Sequence, residues 1–283
     1  MRRFFSMPVL MPLLLSLLLL WASRPAHAEL MLHPTRLVFD KNTRAAQIEL
    51  INNGSQPATY RISLVNRRMT EVGQFEPADT PAPGEQFADA MLRFSPRQVT
   101  LQPGTAQTVR VMLRKPADLP DGEYRSHLQF DKLPDAGGAT SIDRQGDGKG
   151  IGVVLDALVG AAVPVIVRHG AGSATVGLSG LALRTDGNAG AKGPLLALRF
   201  EREGSNSVYG DLDVTFTPRD GKPRTVARIG GVAVYTPNRI RAATLPLDVP
   251  PGLPLAHGTL AVSYRERPEA GGKLLAQAHL DLP

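Results

Sequence analysis

The sequence predicts an all-β chain of two antiparallel β-sandwiches in series. Apolar residues alternate with polar ones in short runs, the period of strands with one buried face. With 28 Gly and 24 Pro in 283 residues, turn-forming residues interrupt the chain often enough to separate strand-length segments. No sustained helical period competes with that pattern.

Residues 1–28 read as a secretory signal. Arg2 and Arg3 precede an apolar run from Val9 to Trp21, and Ala26-His27-Ala28 supplies the small-x-small pattern that signal peptidase cuts after. The run is short for the about 20 residues a membrane span needs, so the expected mature chain starts at Glu29 with no stable membrane insertion after cleavage. Half of the formal charge of +6 sits on the leader, at Arg2, Arg3 and Arg24. The mildly basic remainder has no Lys/Arg block and no basic-aromatic interleaving, which argues against nucleic-acid binding. With 0 Cys, thiol chemistry and Cys-ligated metals are excluded, and stability must come from core burial. The mature length accommodates two sandwiches of about 100 residues each.

The expected first domain covers residues 29–170. Ala46, Ile48, Leu50 and Ile51 lead into the turn signal Asn52-Asn53-Gly54-Ser55, and Tyr60, Ile62 and Leu64 resume period two, which predicts a hairpin. Residues 76–88 are Pro/Gly-rich and read as a surface loop. Phe94, Val99 and Leu101 precede Pro103-Gly104, after which Thr108, Val109, Val111 and Leu113 form another strand. Leu119-Pro120-Asp121-Gly122 is a further turn before a strand from Tyr124 to Phe130. Residues 131–150 are Gly/Asp-rich. The apolar run from Ile151 to Val167 contains Gly152, Gly160 and Pro164, and an interior proline costs a helix about 3 kcal/mol. It therefore predicts one long strand or two collinear ones, with Pro164 at an unpaired or edge position.

His169-Gly170-Ala171-Gly172-Ser173 marks the expected boundary. Across the second domain, residues 171–283, about seven short strands recur with turns every 8 to 12 residues, the signature of an immunoglobulin-like sandwich.

Catalytic chemistry finds little support. No two of His33, His127, His169, His257 and His279 have zinc-protease spacing, so no metal site is expected. Gly146-Asp147-Gly148-Lys149-Gly150 fails the phosphate-loop spacing and precedes a strand in place of a helix. Asp143 and Asp147 lack the spacing and closing Glu of a calcium loop, and no nucleophile elbow is present. The expectation is a protein that is not an enzyme and uses no cofactor.

A binding surface is better supported. Counting by twos, Ile151, Val153, Leu155, Ala157 and Val159 share one face of the long strand. That face fits two roles equally: ordinary sandwich core, or an edge strand offering apolar knobs and backbone groups to a partner sheet. Burying its large side chains would contribute on the order of 6 to 10 kcal/mol gross, much of it offset by ordering costs.

Several segments together resemble the periplasmic chaperones of chaperone-usher pilus assembly, the PapD-like family, in an atypical branch. They are Thr35-Arg36-Leu37-Val38-Phe39, the Asn-Asn-Gly turn, SPRQVTLQPGTAQTVRVMLRK at 95–115, LPDGEYRSHLQF at 119–130 and VPVIVRHG at 163–170, with weaker support from 208–216 and 231–239. The resemblance covers essentially the whole mature chain. It implies two immunoglobulin-like domains in a boomerang arrangement and a Gram-negative periplasmic location. It further implies a chaperone that stabilises pilus or fimbrial subunits by donor-strand complementation, with an outer-membrane usher as a further partner.

By the same resemblance, Ile151, Val153, Leu155, Ala157 and Val159 are the donor strand and Arg36 anchors a subunit's terminal carboxylate, a task the planar guanidinium suits. The family's lysine partner for that arginine falls on Pro164, which carries no charge. Arg168 lies about 13 Å further along an extended strand. The alternative reading is a structural or adhesive envelope protein built from the same domains. Fractionation separates the two, since a chaperone stays in the periplasm and a fibre component appears outside the cell.

Overall fold

The computed structural model describes residues 30–134, 160–184 and 193–283. Its regular structure is strand throughout, apart from single 3-10 turns at Asp89–Met91 and Pro268–Ala270. The first half contains β1 (Leu30–His33), β2 (Leu37–Phe39), β3 (Ala45–Asn52), β4 (Ala58–Val65), β5 (Arg67–Met69), β6 (Phe75–Pro77), β7 (Leu92–Ser95), β8 (Gln98–Leu101), β9 (Ala106–Leu113), β10 (Gly122–Lys132) and β11 (Gly160–His169). One sheet has the order β1-β3-β9-β7, the facing sheet β2-β11-β10-β4-β8, and β5 and β6 form a separate two-stranded ribbon.

The alternation seen in the sequence becomes burial. Along β9 the inward Val109, Val111 and Leu113 are buried while Arg110 and Met112 face out. Phe39, Ile48, Leu50, Leu128, Phe130, Val165 and Val167 close the core from both sheets.

The second half contains β12 (Ala174–Arg184), β13 (Leu195–Gly204), β14 (Val208–Pro218), β15 (Arg224–Val234), β16 (Ile240–Pro246), β17 (Gly258–Arg265) and β18 (Leu274–Leu282). These make a β12-β13-β16 sheet facing a β15-β14-β17-β18 sheet. Strict period two in β14 buries Leu212, Val214 and Phe216 on one face, against Leu196, Phe200, Val262 and Tyr264. The chain is thus all-β with two sandwiches in series.

Two sequence expectations change. The Asn52-Asn53-Gly54-Ser55 turn does not close a hairpin, because β3 and β4 belong to opposite sheets. The buried Asn52 amide explains the crossing: Nδ2 donates to the carbonyls of Gln56 (2.8 Å) and Leu101 (3.1 Å), while Oδ1 accepts from the Gly54 N–H. Those bonds tie the turn to β8 in the facing sheet, so the chain changes layers in place of doubling back. The expected loop at 76–88 starts with strand residues, since Arg67↔Pro77, Arg68↔Glu76 and Met69↔Phe75 pair in the ribbon.

Of the apolar run from Ile151 to Val167, the described part is β11. It lies between β10 along its full length and β2, which pairs in parallel only at Val165 to Val167. Pro164 therefore sits one residue beyond the β2 ladder, where its missing N–H costs no bond on that side. Val163, Val165 and Val167 enter the core, and Ile166 points the other way. The expected donor residues Ile151, Val153, Leu155, Ala157 and Val159 lie outside the described residues.

A third cluster joins the halves. Met69 from the ribbon, Ile166 from β11 and Ala233 and Tyr235 at the end of β15 bury one another, with Val38 and Tyr209 packed alongside. The ribbon is also tied by backbone: the Ala242 N–H donates to the Glu71 carbonyl (2.7 Å), and Asn238 Nδ2 donates to the Met69 carbonyl (2.8 Å).

Candidate functional site

Where the two sandwiches meet they leave a cleft of about 650 Å³. Its lining comes from the residues just before β2 (Thr35, Arg36), the ribbon (Arg67, Phe75), β10 (His127), β11 (Ala162, Pro164) and the second sandwich (Tyr209, Gly230, Gly231, Tyr235, Arg267). No Asp or Glu lines it among the described residues, whereas three arginines do.

Arg36 precedes the first residue of β2, so the switch of the opening chain from one sheet to the other delivers its side chain to this cleft. Its guanidinium carbon lies 4.6 Å from the Tyr209 ring centroid and 5.4 Å from that of Tyr235. Nη2 donates to Ser207 Oγ at 3.3 Å, and Nη1 is buried without a hydrogen-bond partner. Aromatic faces attract a cation without consuming its N–H donors, so the site holds Arg36 in place and leaves donor capacity unspent.

Beneath it, Arg125 shares the Tyr235 ring at 4.6 Å and is engaged with the frame through both terminal nitrogens, while its Nε has no hydrogen-bond partner. It donates to the carbonyls of Thr236 (2.9 Å) and Arg67 (3.3 Å) and approaches Glu85 Oε1 at 3.6 Å. Glu85 in turn accepts from Arg68 at 2.6 Å and 2.9 Å and from the Ala82 N–H at 3.0 Å. Burial lowers the Arg125 pKa, opposed by Tyr235 and the carboxylates of Glu85 and Glu123.

Glu123 carries a second connection. Its Oε2 accepts from Arg168 Nε and from the Ser207 N–H, both at 3.0 Å, and Arg168 Nη2 donates to the Ser207 carbonyl at 3.1 Å. Arg168 is thereby committed to fixing β11 against the second sandwich. It is not a spare cation for the cleft.

The other two lining arginines differ in their pairing. Arg267 is already near acids, with Glu269 at 3.2 Å and Asp211 at 3.7 Å, and its Nη1 donates to the Tyr209 hydroxyl at 3.3 Å. That hydroxyl contact is the chief cause of its raised pKa. Arg67 donates to the neutral Gln129 Oε1 at 2.8 Å. Gly231, at φ +72°, lets the chain pass the Tyr209 hydroxyl, since a Cβ there would stand 2.9 Å from it.

His127 is a further buried polar group of the cleft, 2% exposed. Neither ring nitrogen has a hydrogen-bond partner, and the Phe75 ring meets it edge-on with centroids 5.2 Å apart. Burial, reinforced by Arg125 and Arg67, pushes its pKa down to about 3, so the imidazole is neutral at ordinary pH. Burial likewise raises the Tyr235 hydroxyl pKa, with Arg36 and Arg125 opposing.

Of the sequence-expected residues, the structure places Arg36 in the cleft with Pro164 beside it, and the donor-strand set lies outside the described residues. Arg67, Phe75, Tyr209, Tyr235 and Arg267 were not singled out from the sequence, and His127 was weighed there only as a metal ligand. Tyr209 and Tyr235 lie in the 208–216 and 231–239 segments. Their spacing reads as ordinary strand, and only packing between the sandwiches brings them to Arg36. Among the described residues no cluster of metal-ligating side chains occurs.

No family model matches the sequence, and no curated protein matches it. Among solved structures the chain is similar to the YadV chaperone, at 13% identity over 90% of this chain and 100% of that one, with a TM-score of 0.45. It is similar to the class 5 fimbriae chaperone CfaA at 12% identity, over 90% and 99% of the two chains, with a TM-score of 0.42. It is also similar to the CupB2 chaperone of Pseudomonas aeruginosa at 13% identity, over 89% and 99%, with a TM-score of 0.40.

Proposed function

We propose that this chain is a non-enzymatic periplasmic chaperone. It captures pilus or fimbrial subunits, seats a subunit's terminal carboxylate against Arg36, and lends the apolar segment leading into β11 to the subunit's sheet. The supporting observation is Arg36 itself: a guanidinium clamped by two tyrosines and Ser207, with a buried unpartnered Nη1, in a cleft lined by no acid among the described residues. An anionic group entering there gains charge-assisted hydrogen bonds to a donor already held in place, so little side-chain entropy is lost.

The neighbouring strand suits the second half of the reading. On the side facing β2, β11 has no ladder partner from Gly160 to Pro164 among the described residues, and Ala162 of that stretch lines the cleft. An open edge next to an anion site is the geometry of strand addition with a terminal anchor. The odd-numbered positions of β11 that are buried, Val163, Val165 and Val167, have the parity of Ile151, Val153, Leu155, Ala157 and Val159.

Co-expression with the subunit encoded beside this gene tests both halves. Arg36→Ala should reduce recovery of a stable complex, and equal recovery from wild type and variant would overturn the anchoring role. Leu155→Asp should abolish capture while the free protein stays folded. Persisting capture would overturn the donor strand. Recovery of the wild-type protein from the soluble periplasm is the expected location.

A further inference from the structure

Three residues lining the cleft have buried side-chain nitrogens without a hydrogen-bond partner, Arg36, His127 and Arg267. Arg267 already has Glu269 and Asp211 beside it, which leaves Arg36 and His127, and the strand register sets those two in one row. Val165 pairs with Leu37 and His127 pairs with Pro164, so Arg36, one residue before β2, falls next to Pro164 of β11, and Pro164 next to His127 of β10. Neighbouring strands lie about 4.8 Å apart, which separates the outer two backbones by roughly 10 Å with the short proline ring between them. A long side chain at position 164 would fill that gap; proline leaves it open to a ligand. The buried imidazole, unpartnered at both nitrogens, carries an uncompensated desolvation cost that a binding partner would relieve.

We propose that His127 is a second ligand-binding residue of the cleft, its imidazole N–H donating to the same carboxylate that Arg36 engages, with Phe75 swinging aside to admit it. This rests on the carboxylate reading of the cleft given above. Phe75 is suited to the movement: it is 37% exposed, sits on the short ribbon, and covers the imidazole by a ring-edge contact. A neutral donor also completes the site without adding another positive charge to a cleft that already holds Arg36, Arg67 and Arg267, with Arg125 beneath. The ligand class is therefore a peptide ending in a free carboxylate, gripped by one charged and one neutral donor, in place of two cations.

The test uses the whole mature protein and two probes, an N-acetylated Val-Thr-Val-Thr-Val peptide acid and its C-terminal amide. Wild type should prefer the acid. His127→Phe keeps the ring but removes both nitrogens and should lose roughly tenfold of that preference or more, the worth of a hydrogen bond to a charged group. His127→Gln restores an N–H donor and should recover part of it. In nitrogen-15-labelled wild type, the peptide acid should shift the His127 ring N–H resonance and slow its exchange, a readout that does not depend on any variant folding.

If Arg36→Ala loses the acid preference while His127→Phe keeps it and the ring resonance stays put, the His127 assignment is overturned and the anchor survives. If Arg36→Ala also binds acid and amide as wild type does, the carboxylate reading of the cleft itself falls.

Discussion

Lowering the pH from 7.5 to 5 should destabilise this protein through His127, and the His127→Phe variant should escape that part of the loss. In the unfolded chain the imidazole titrates near 6.5, whereas in the folded state its pKa is pushed down to about 3. The folded-state value is depressed, so the stabilisation is fully present above the unfolded pKa and is lost as pH falls toward the folded one. At pH 5 the unfolded state has gained a proton that the folded state still refuses. The gap of about 1.5 units converts to about 2 kcal/mol, and it widens until the folded-state pKa is reached.

The groups that set this value are the burial of the ring and the guanidiniums of Arg125 and Arg67; Phe75 and Pro164 beside it are uncharged. Urea unfolding of both proteins at both pH values measures it, with the slope checked for constancy so that midpoints convert to free energies. Carboxylates and the other histidines contribute alike to both proteins and cancel in the double difference. Equal pH-induced losses in wild type and variant would refute the reasoning, and a wild type that gains stability on acidification would place a protonated, paired imidazole in the cleft.

Three further outcomes test the frame around the site. Glu123→Ala strips the shared acceptor from Arg168 and the Ser207 N–H and should cost about 2 to 4 kcal/mol, with calorimetry resolving two unfolding transitions as the sandwiches lose a connection. Gly231→Ala forces a side chain into a left-handed conformation 2.9 Å from the Tyr209 hydroxyl. It should cost about 1 to 2 kcal/mol in urea unfolding and weaken binding of the peptide acid by displacing the Tyr209 ring. Phe216→Ala opens a cavity in the second core, at a residue that does not line the cleft, and should cost about 3 to 5 kcal/mol in stability while the folded fraction keeps its acid preference.

How much of this was legible beforehand follows from the range of each interaction. Period-two burial is local, so the strands of β9, β14 and β17 and the existence of two cores could be read from the chain. The Asn52 turn misled because nothing in Asn-Asn-Gly-Ser says whether the next strand doubles back or crosses layers; that is settled by Leu101, far along the sequence. Arg36 was legible through its motif. His127, Tyr209 and Tyr235 were not, because a buried aromatic residue in an alternating strand looks the same whether it packs a core or a cleft. The polar partners that distinguish the two lie on other strands, as with Arg125 donating to the Thr236 carbonyl.

The ribbon of β5 and β6 has a consequence for dissecting the protein. Strand β16 is the outer member of its sheet, and the Glu71 carbonyl takes up the Ala242 N–H from its exposed side. Cutting the chain at the 169–173 link would remove that cover and bare Tyr235 and Ala233 as well. The released second sandwich would carry an unguarded edge beside an apolar patch, a template for self-association. The first sandwich thus acts as a gatekeeper for its own neighbour, shielding an unsatisfied strand by the same kind of contact it is proposed to extend to a client.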